Sequence, residues 1–533
     1  MRVIFVYNPR VDGMSEVSNR KYYITTPIYY VNDIPHIGHA YTTIAADMLA
    51  RFKRLDGYDV FFLTGTDEHG QKVEKAAGEA GVTPQDFVDK VSQDFRNLYP
   101  ILDASPDIFI RTTESRHIHA AQALWRHLEE RGYIYKSVYA GWYAVRDEAF
   151  YAENELIEGK APSGASVEWV EEPSYFFRLS AWQEPLLKFY KDNPDFIGPA
   201  SRRNEVIRFV EGGLNDLSIS RSTFTWGIPV PGAENHIMYV WLDALTNYIT
   251  ALGYPDDFSA ASHLSPHPSQ QFWANALHLV GKDILRFHAI YWPAFLMAAG
   301  LNPPKRVFAH GWWTNCGEKI SKSLKNTIDP AKLIARYGSD QVRYFLMREV
   351  PFGQDGDFSE AALIGRINSD LANDFGNLAQ RVLSFIQKNA GAAVPQPDPF
   401  TEEDEALFKV AHQMIDKLRT CADEQSLSKM CETIWAVVGE ANRYIDAQEP
   451  WTLKKTDQRR MNTVLYVLAE VLRYLGILSC PIIPKAAAKL LDQLSVPQDQ
   501  RTIAALAHHK LVPETKLPAP QGLFPRIQTE TTT

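Results

Sequence analysis

Two hydrophobic rhythms run along the 533 residues, and the architecture changes where one gives way to the other. KYYITT, from Lys21 to Thr26, is a run of aromatic and β-branched residues, the composition of a strand. PIYYVNDIPHIG follows, with the Pro, Asn, Asp and Gly of a loop. From His39 to Leu55 the apolar residues Tyr41, Ile44, Ala45, Met48, Phe52 and Leu55 recur at helical spacing, and Gly57 marks the stop. DVFFLTG, from Asp59 to Gly65, is nearly all apolar, as befits a parallel strand covered on both faces. Strand, helix and strand in that order predict a right-handed parallel crossover, the unit of an open doubly wound sheet. HLVGKDILRFHAIYWPAFL, from His278 to Leu296, reads as a buried strand, a glycine turn and a helix starting near Asp283, and RVFAHGWW supplies another strand. After DGDFSEAALIGRINSDLANDFGNLAQRVLSFIQ almost only the helical period remains. Long amphipathic stretches from Glu403 to Ala422, Ser426 to Ala447 and Met461 to Leu478, punctuated by Pro397, Pro399 and Pro484, predict an antiparallel helix bundle.

Composition narrows the class. At 45% hydrophobic and 22% charged residues the chain is globular, and at this length it exceeds one core, so three or four units are expected. A net charge of −9 argues against indiscriminate coating of nucleic acid and leaves room for a local basic face. The cysteines Cys316, Cys421, Cys431 and Cys480 form neither a disulfide framework nor paired C-x-x-C spacing, which fits a reducing, cytoplasmic compartment. The most apolar stretch, Val464 to Leu478, is broken by Glu470, Arg473 and Gly476, so no membrane association is expected. MRVIFVYNPRVDG at the start lacks a signal-peptide pattern, and Met14 is a candidate start with an extension before it.

The candidate chemistry lies at the strand-to-helix junctions, the edge where doubly wound sheets bind ligands. His36 and His39, with Gly38 between them, stand where a helix begins, so imidazole N–H groups and free backbone amides could meet an anion such as the phosphates of ATP. Taken alone, H-x-G-H is more often a plain helix cap. Asp67, Glu68 and His69 close the second strand with groups that suit an ammonium or a ribose hydroxyl, or simply a polar turn. Lys282 and His288 follow the later strand and could face the same cavity. TNCGEKISKSLKN sets Lys319, Lys322 and Lys325 in a loop, where ammonium groups can stabilise charge growing on departing phosphates.

PHIGH followed much later by KISKS resembles the two signatures of the class I aminoacyl-tRNA synthetases. The blocks TTPIYYVNDIPHIGHAY, TGTDEHGQK, YVWLDALTNY, VGKDILRFH and GWWTNCGEKISKS resemble the methionyl branch more than the isoleucyl, valyl, leucyl or cysteinyl ones, and the likeness runs from Lys21 to about Pro484. The resemblance implies an α/β Rossmann-type catalytic domain with a doubly wound parallel sheet and an inserted connective domain, followed by an all-α anticodon-binding helix bundle. It implies use of ATP and Mg²⁺ to activate L-methionine as an adenylate, and transfer to the 3′ end of tRNA(Met) for initiation and elongation. It assigns catalysis to His36, His39, Lys319, Lys322 and Arg221, the last near the reacting phosphate or substrate where the alternative is a surface salt-bridge partner, and ATP binding to these two histidines and two lysines with Gly38, Lys282 and Ser321. Ile28, Tyr30, Asp67, Trp241, Ala244, Leu245, Tyr248, Ile284 and His288 would bind methionine, with Asp67 on its ammonium group. Asn377 and Arg381, four apart and so on one helix face, would meet anticodon bases together with Trp451, beside a basic patch of Lys454, Lys455, Arg459 and Arg460.

The connecting region, about Gly132 to Ser265, is too short for the editing domain that relatives handling branched aliphatic amino acids add, which favours methionine. Many family members carry C-x-x-C zinc knuckles there. AVRDEAFYAENELIEGKAPSG, from Ala144 to Gly164, has no cysteine, so no structural zinc is expected and the knuckle should hold by packing. The expected division is an extension over 1–20, a first catalytic half over 21–131, the connective insertion over 132–265 and a second catalytic half over 266–318. The KISKS loop and stem-contact region follow over 319–370, the anticodon-binding domain over 371–500 and a tail over 501–533. The thin, Pro-rich tail leads to the expectation of a monomer. Two other classes compete: a small-molecule nucleotidyltransferase, which has no use for a long helical bundle, and a catalytically silent relative that binds tRNA or protein.

Overall fold

The computed structural model describes residues 20–31, 35–147, 149–151, 153–259, 268–315, 317–320 and 326–528. The N-terminal extension to residue 19, the boundary near Ser265, Cys316, and Ser321, Lys322 and Lys325 of the basic loop lie outside the described residues.

Seven of the described strands form one sheet in the order Tyr29–Tyr30, Asp59–Asp67, Lys21–Thr25, Ala276–Gly281, Arg306–His310 and Ile197–Gly198, with Ile108–Arg111 also paired to Asp59–Asp67. Every pairing in it is parallel. Tyr23 sits between Phe61 and Ala276 in register, and Tyr23 and Ile24 are wholly buried, as a sheet covered on both faces requires. Gly65 lets the Ile108–Arg111 strand close in, since a Cβ there would stand 2.0 Å from the Ile110 carbonyl oxygen. Helix Ile37–Leu55 makes the expected crossover and ends with Lys53 and Arg54 in its last turn, where cations oppose the helix dipole.

The helix expected from Asp283 takes a different form. Lys282–Ile284 is a 3₁₀ turn, Phe287–Tyr291 is π-helical, and the α-helix proper runs over Trp292–Ala298. The wider turn is paired with function-bearing geometry in many proteins, and here it contains His288.

The connective insertion is built on an antiparallel pair, Ile134–Ala144 against Glu168–Phe177, extended by Ala149–Tyr151 and Leu217–Ser218. Its knuckle packs Ala144, Ala161 and Ala165 into a small core with Tyr151 and Val167 against it. Asp147 accepts hydrogen bonds from Ser163 Oγ and from Tyr151 Oη at 3.1 Å. Among the described residues no group of three His, Cys, Asp or Glu side chains is placed to hold a metal ion.

Beyond the sheet, helices Glu402–Asp423, Leu427–Gln448 and Gln458–Ser479 pack together as a bundle. Gln458–Ser479 is long and apolar enough to cross a membrane by length and composition, yet 94% of its apolar window is buried inside the protein. Glu470 and Arg473 interrupt it as a buried pair at 2.5 Å, and Arg473 also donates to His509 O at 2.7 Å. The bundle is fastened to helix Ile37–Leu55 and the Asp56 that caps it by Lys53–Asp423 at 2.6 Å and Arg419–Asp56 at 2.7 Å, while the fully buried Arg343–Asp47 pair at 2.7 Å ties the same helix to helix Ser339–Arg348.

The tail departs from expectation. Leu511, Leu517 and Phe524 are buried, Val394 N donates to Thr515 O at 2.9 Å, and Asn368 and Ile527 exchange two hydrogen bonds. Sparse apolar residues spaced widely along a Pro-rich stretch carry no periodic signal, yet each fills a socket on the bundle.

Candidate active site

Helix Ile37–Leu55 opens with two histidines in the roles that Ser or Thr and Glu usually take in a capping box. His36 Nδ1 accepts from Gly38 N at 3.1 Å, and His39 Nδ1 accepts from His36 N at 3.1 Å. A ring whose Nδ1 accepts is neutral and carries its hydrogen on Nε2. Burial, reinforced by the neighbouring His36, holds His39 well below the ordinary imidazole range, so it offers an N–H without a positive charge. The two rings lie 3.9 Å apart between centroids. A Cβ on Gly38 would come 2.9 Å from His36 Cε1, so glycine is what lets this histidine fold back over the helix start.

These groups border a cavity of about 500 Å³. Its far wall is one face of helix Val240–Thr250, which contributes Trp241, Ala244, Leu245 and Tyr248. Ile28, Tyr30, Asp67, Ile284 and His288 complete the nine residues expected around methionine, and all nine line this one space with His36, Gly38 and His39. Tyr248 Oη donates to His288 Nε2 at 2.7 Å, while His288 Nδ1 donates to Ile284 O at 2.9 Å. Burial pushes His288 down to about 4, so the ring is neutral. Tyr248 stacks on His278 at 4.0 Å and Trp241 on Phe287 at 3.8 Å, which fixes the planes of both cavity aromatics.

Several sequence expectations need correction. Lys282 does not line the cavity: its Nζ pairs with Asp355 at 2.5 Å and lies 4.3 Å over the Trp312 ring. The cavity wall there is Gly281, Asp283 and Trp312, with Trp312 Nε1 donating to Asp283 Oδ1 at 3.1 Å. Arg221 is neither at the cavity nor on the surface. It is buried, donates to Ser218 Oγ at 2.9 Å and Ser220 O at 2.6 Å, and covers the Tyr239 ring at 4.6 Å. Of Asp67, Glu68 and His69 only Asp67 faces the cavity. Glu68 is clamped by Arg111 at 2.7 and 2.9 Å, and His69 Nδ1 meets Asp243 Oδ2 at 2.6 Å. Lys319 closes a short strand, Glu318–Lys319, and the next residue, Ile320, lines the cavity.

Lys72, Asp147, His310 and Trp312 also line the cavity, and the sequence pattern does not mark them out. Lys72 lies within TGTDEHGQK, and helix spacing after Gly70 was the available signal; Asp147 comes from the connective knuckle, where nothing local announces it.

On the bundle, Asn377 is exposed, and Arg381 pairs with Asp446 at 2.6 Å and lies 5.8 Å from the ring of Trp451, itself 42% exposed. Arg460 leaves the expected basic patch to pair with buried Asp404 at 2.5 Å.

Comparison with known proteins gives a consistent result. The family model "tRNA synthetases class I (M)" matches residues 22–168 and 161–383, and "Anticodon binding domain of methionyl tRNA ligase" matches 394–533. The chain is 57% identical over 516 residues to the methionine–tRNA ligase of Brucella suis, covering 96% of this chain and 98% of that one. It is 56% identical over 515 residues to that of Rickettsia conorii, covering 96% and 100%. Among solved structures, Mycobacterium tuberculosis methionyl-tRNA synthetase in complex with methionyl-adenylate is 50% identical with a TM-score of 0.91, covering 95% of this chain and all of that one. The apo form of that enzyme gives a TM-score of 0.85 at 47% identity, covering 96% and 99%.

Proposed function

The chain belongs to the methionyl branch of the class I tRNA synthetases, and from that membership we propose how its cavity works as a methionine–tRNA ligase. The observation that carries the reading is the convergence in one 500 Å³ space of the histidine-capped helix start, Asp67 and an apolar, aromatic wall. Asp67 holds the α-ammonium group of L-methionine. Trp241, Ala244, Leu245 and Ile284 take the thioether, a polarizable group suited to such a wall, while Tyr248 and neutral His288 bound its far end.

ATP lies across the strand ends, with its phosphates at the start of helix Ile37–Leu55. There the Nε2–H groups of His36 and His39 and the backbone near Gly38 meet negative charge that grows as the reaction proceeds. The methionine carboxylate attacks the α-phosphorus and pyrophosphate departs, steadied by Lys319, Ser321 and Lys322. The terminal adenosine hydroxyl of tRNA then attacks the activated carbonyl and AMP leaves. No side chain forms a covalent intermediate, because positioning and charge stabilisation suffice. Mg²⁺ travels with the phosphates of ATP and neutralises part of their charge. Asn377, Arg381 and Trp451 form the surface that reads the anticodon, the indole stacking on an unpaired base. We place the enzyme in the cytoplasm and take it to act as a monomer.

Amino-acid-dependent ATP–pyrophosphate exchange tests the reading. Exchange is expected with methionine and Mg²⁺ and not with isoleucine, valine, leucine or cysteine, and chelation by EDTA should abolish it. Exchange driven by another amino acid would keep the reaction class and overturn the assignment of the cavity.

A further inference from the structure

We propose that His69, Asp243 and His117 form a buried positioning relay that locks the methionine-facing helix to the strand end bearing Asp67. The proposal rests on reading the cavity as the methionine site, and none of the three residues lines that cavity.

Asp243 is 1% exposed, and its two oxygens are divided between two imidazoles: Oδ2 meets His69 Nδ1 at 2.6 Å, and Oδ1 meets His117 Nε2 at 2.7 Å. The three residues come from separate parts of the fold. His69 follows strand Asp59–Asp67 by two residues, His117 lies in helix Ser115–Glu130, and Asp243 is on helix Val240–Thr250. His69 and Asp243 are 174 positions apart in the chain. Such a buried carboxylate is costly unless fully satisfied, and here the imidazoles satisfy it.

Helix Val240–Thr250 has two faces with different duties. Trp241, Ala244, Leu245 and Tyr248 fall on one side at helical spacing and form the cavity wall. Asp243, Thr246 and Thr250 fall on the opposite side, where Thr250 Oγ1 also reaches His117 Nδ1 at 3.2 Å. Rotation of this helix about its axis would therefore move Trp241, Ala244, Leu245 and Tyr248 together. The cavity face of the helix is tied to its neighbours by Tyr248, through His288 and through the Tyr23 hydroxyl on its carbonyl, and the opposite face is tied by Asp243.

The other end of the relay is equally fixed. Glu68 is held by Arg111, Trp226 Nε1 donates to Glu68 O at 2.6 Å, Gly70 N donates to Trp226 O at 3.1 Å, and the His69 ring packs against Trp226. Asp67, next but one to His69, cannot shift without dragging this cluster. The relay thus sets the distance between the group that holds the ammonium and the wall that holds the thioether, a distance to which binding of methionine is sensitive and binding of ATP is not.

The test compares leucine variants, which keep bulk and remove the N–H donor, with variants that keep the donor in place. Asn presents an amide where Nδ1 stood in His69→Asn, and Gln does so for Nε2 in His117→Gln. In exchange assays His69→Leu, His117→Leu and Asp243→Asn are expected to raise the methionine KM roughly tenfold or more while leaving the ATP KM unchanged. His69→Asn and His117→Gln should return the methionine KM to near the wild-type value. An unchanged methionine KM in folded leucine variants, or equal rises for methionine and ATP, would overturn the proposal. Should the leucine variants fail to fold by circular dichroism, Asp243→Asn, isosteric with the native side chain, decides between the same two outcomes through the same pair of KM values. If the unaltered chain exchanges with a different amino acid, the reading of the cavity fails, and the relay is judged by the KM of that amino acid.

Discussion

His288 spends both ring nitrogens on hydrogen bonds, one to Ile284 O and one from Tyr248, and burial keeps it neutral with a pKa of about 4 against 6.5 when free. Between those two values the unfolded chain binds a proton that the folded chain refuses. Stability is therefore fully present above about pH 6.5 and is lost as the pH falls towards 4, and the share of His288 alone is about 3 kcal/mol. His39, His278 and His310 are lowered by burial and push in the same direction. Asp243 adds little in this window: burial alone would raise its pKa, but His69 and His117 bring it down to about 2, so it stays charged in the fold and most of its contribution is lost only as the pH falls below about 4. Urea unfolding measured from pH 7 to pH 4 should show this decline, with His288→Gln shallower than the native chain by about 3 kcal/mol across the range. Parallel curves would mean that His288 titrates in the fold as it does outside it.

At the scale of elements, the strongest tie between catalytic helix and bundle is Arg343, fully buried and donating to Pro481 O at 2.8 Å and Ile482 O at 3.1 Å besides its pair with Asp47. Asp47 is a meeting point in its own right, taking Arg51 at 2.7 Å and Ser105 N at 2.7 Å. Burial would raise the Asp47 carboxyl, and Arg343 and Arg51 more than offset this and bring it below the usual carboxylate range. Arg343→Ala strands a buried charge and should lower the unfolding free energy by about 3–5 kcal/mol, and Arg343→Met combined with Asp47→Leu should recover most of it. A loss under about 1 kcal/mol for Arg343→Ala in denaturant melts would show that Arg51 alone satisfies Asp47. Neither Arg343 nor Asp47 was legible in the sequence, because a charged residue on an amphipathic helix gives no sign of whether its partner is water or another helix. The bundle helices were legible to within a few residues, since their apolar faces repeat at 3.6 for many turns. The cavity was legible through its blocks. By contrast, Lys282 and Arg221 were misplaced because a cation near a motif carries no information on which way it turns, and the π-helical turn around His288 leaves the hydrophobic period almost unaltered.

At the scale of the whole molecule, the cavity and the surface proposed to read the anticodon are built from different parts of the chain, and the C-terminal strap braces the part that carries the second. It begins at Leu511, where Tyr466 Oη donates to the carbonyl at 3.1 Å, passes Ala392 and Val394, and ends with Ile527 paired to Asn368 and Phe524 against Phe375. Asn368 and Phe375 belong to the π-helical segment Ile367–Gly376, which runs straight into helix Asn377–Asn389, the carrier of Asn377 and Arg381. Removing the strap would expose Leu517 and Phe524, each worth about 1.5–3 kcal/mol of burial, and would free the base of the helix assigned to the anticodon. The cavity, walled by the sheet and helix Val240–Thr250, makes no use of the strap. A chain ending at Leu511 should thus keep methionine-dependent exchange within about twofold, melt earlier, and lose roughly tenfold in the rate of tRNA charging at limiting tRNA. Equal loss of exchange and charging would make the strap a general support of the fold. Charging at the full rate would free it of any part in tRNA recognition, and Trp451 and Arg381 would then have to hold their geometry through the Arg381–Asp446 pair and the bundle alone.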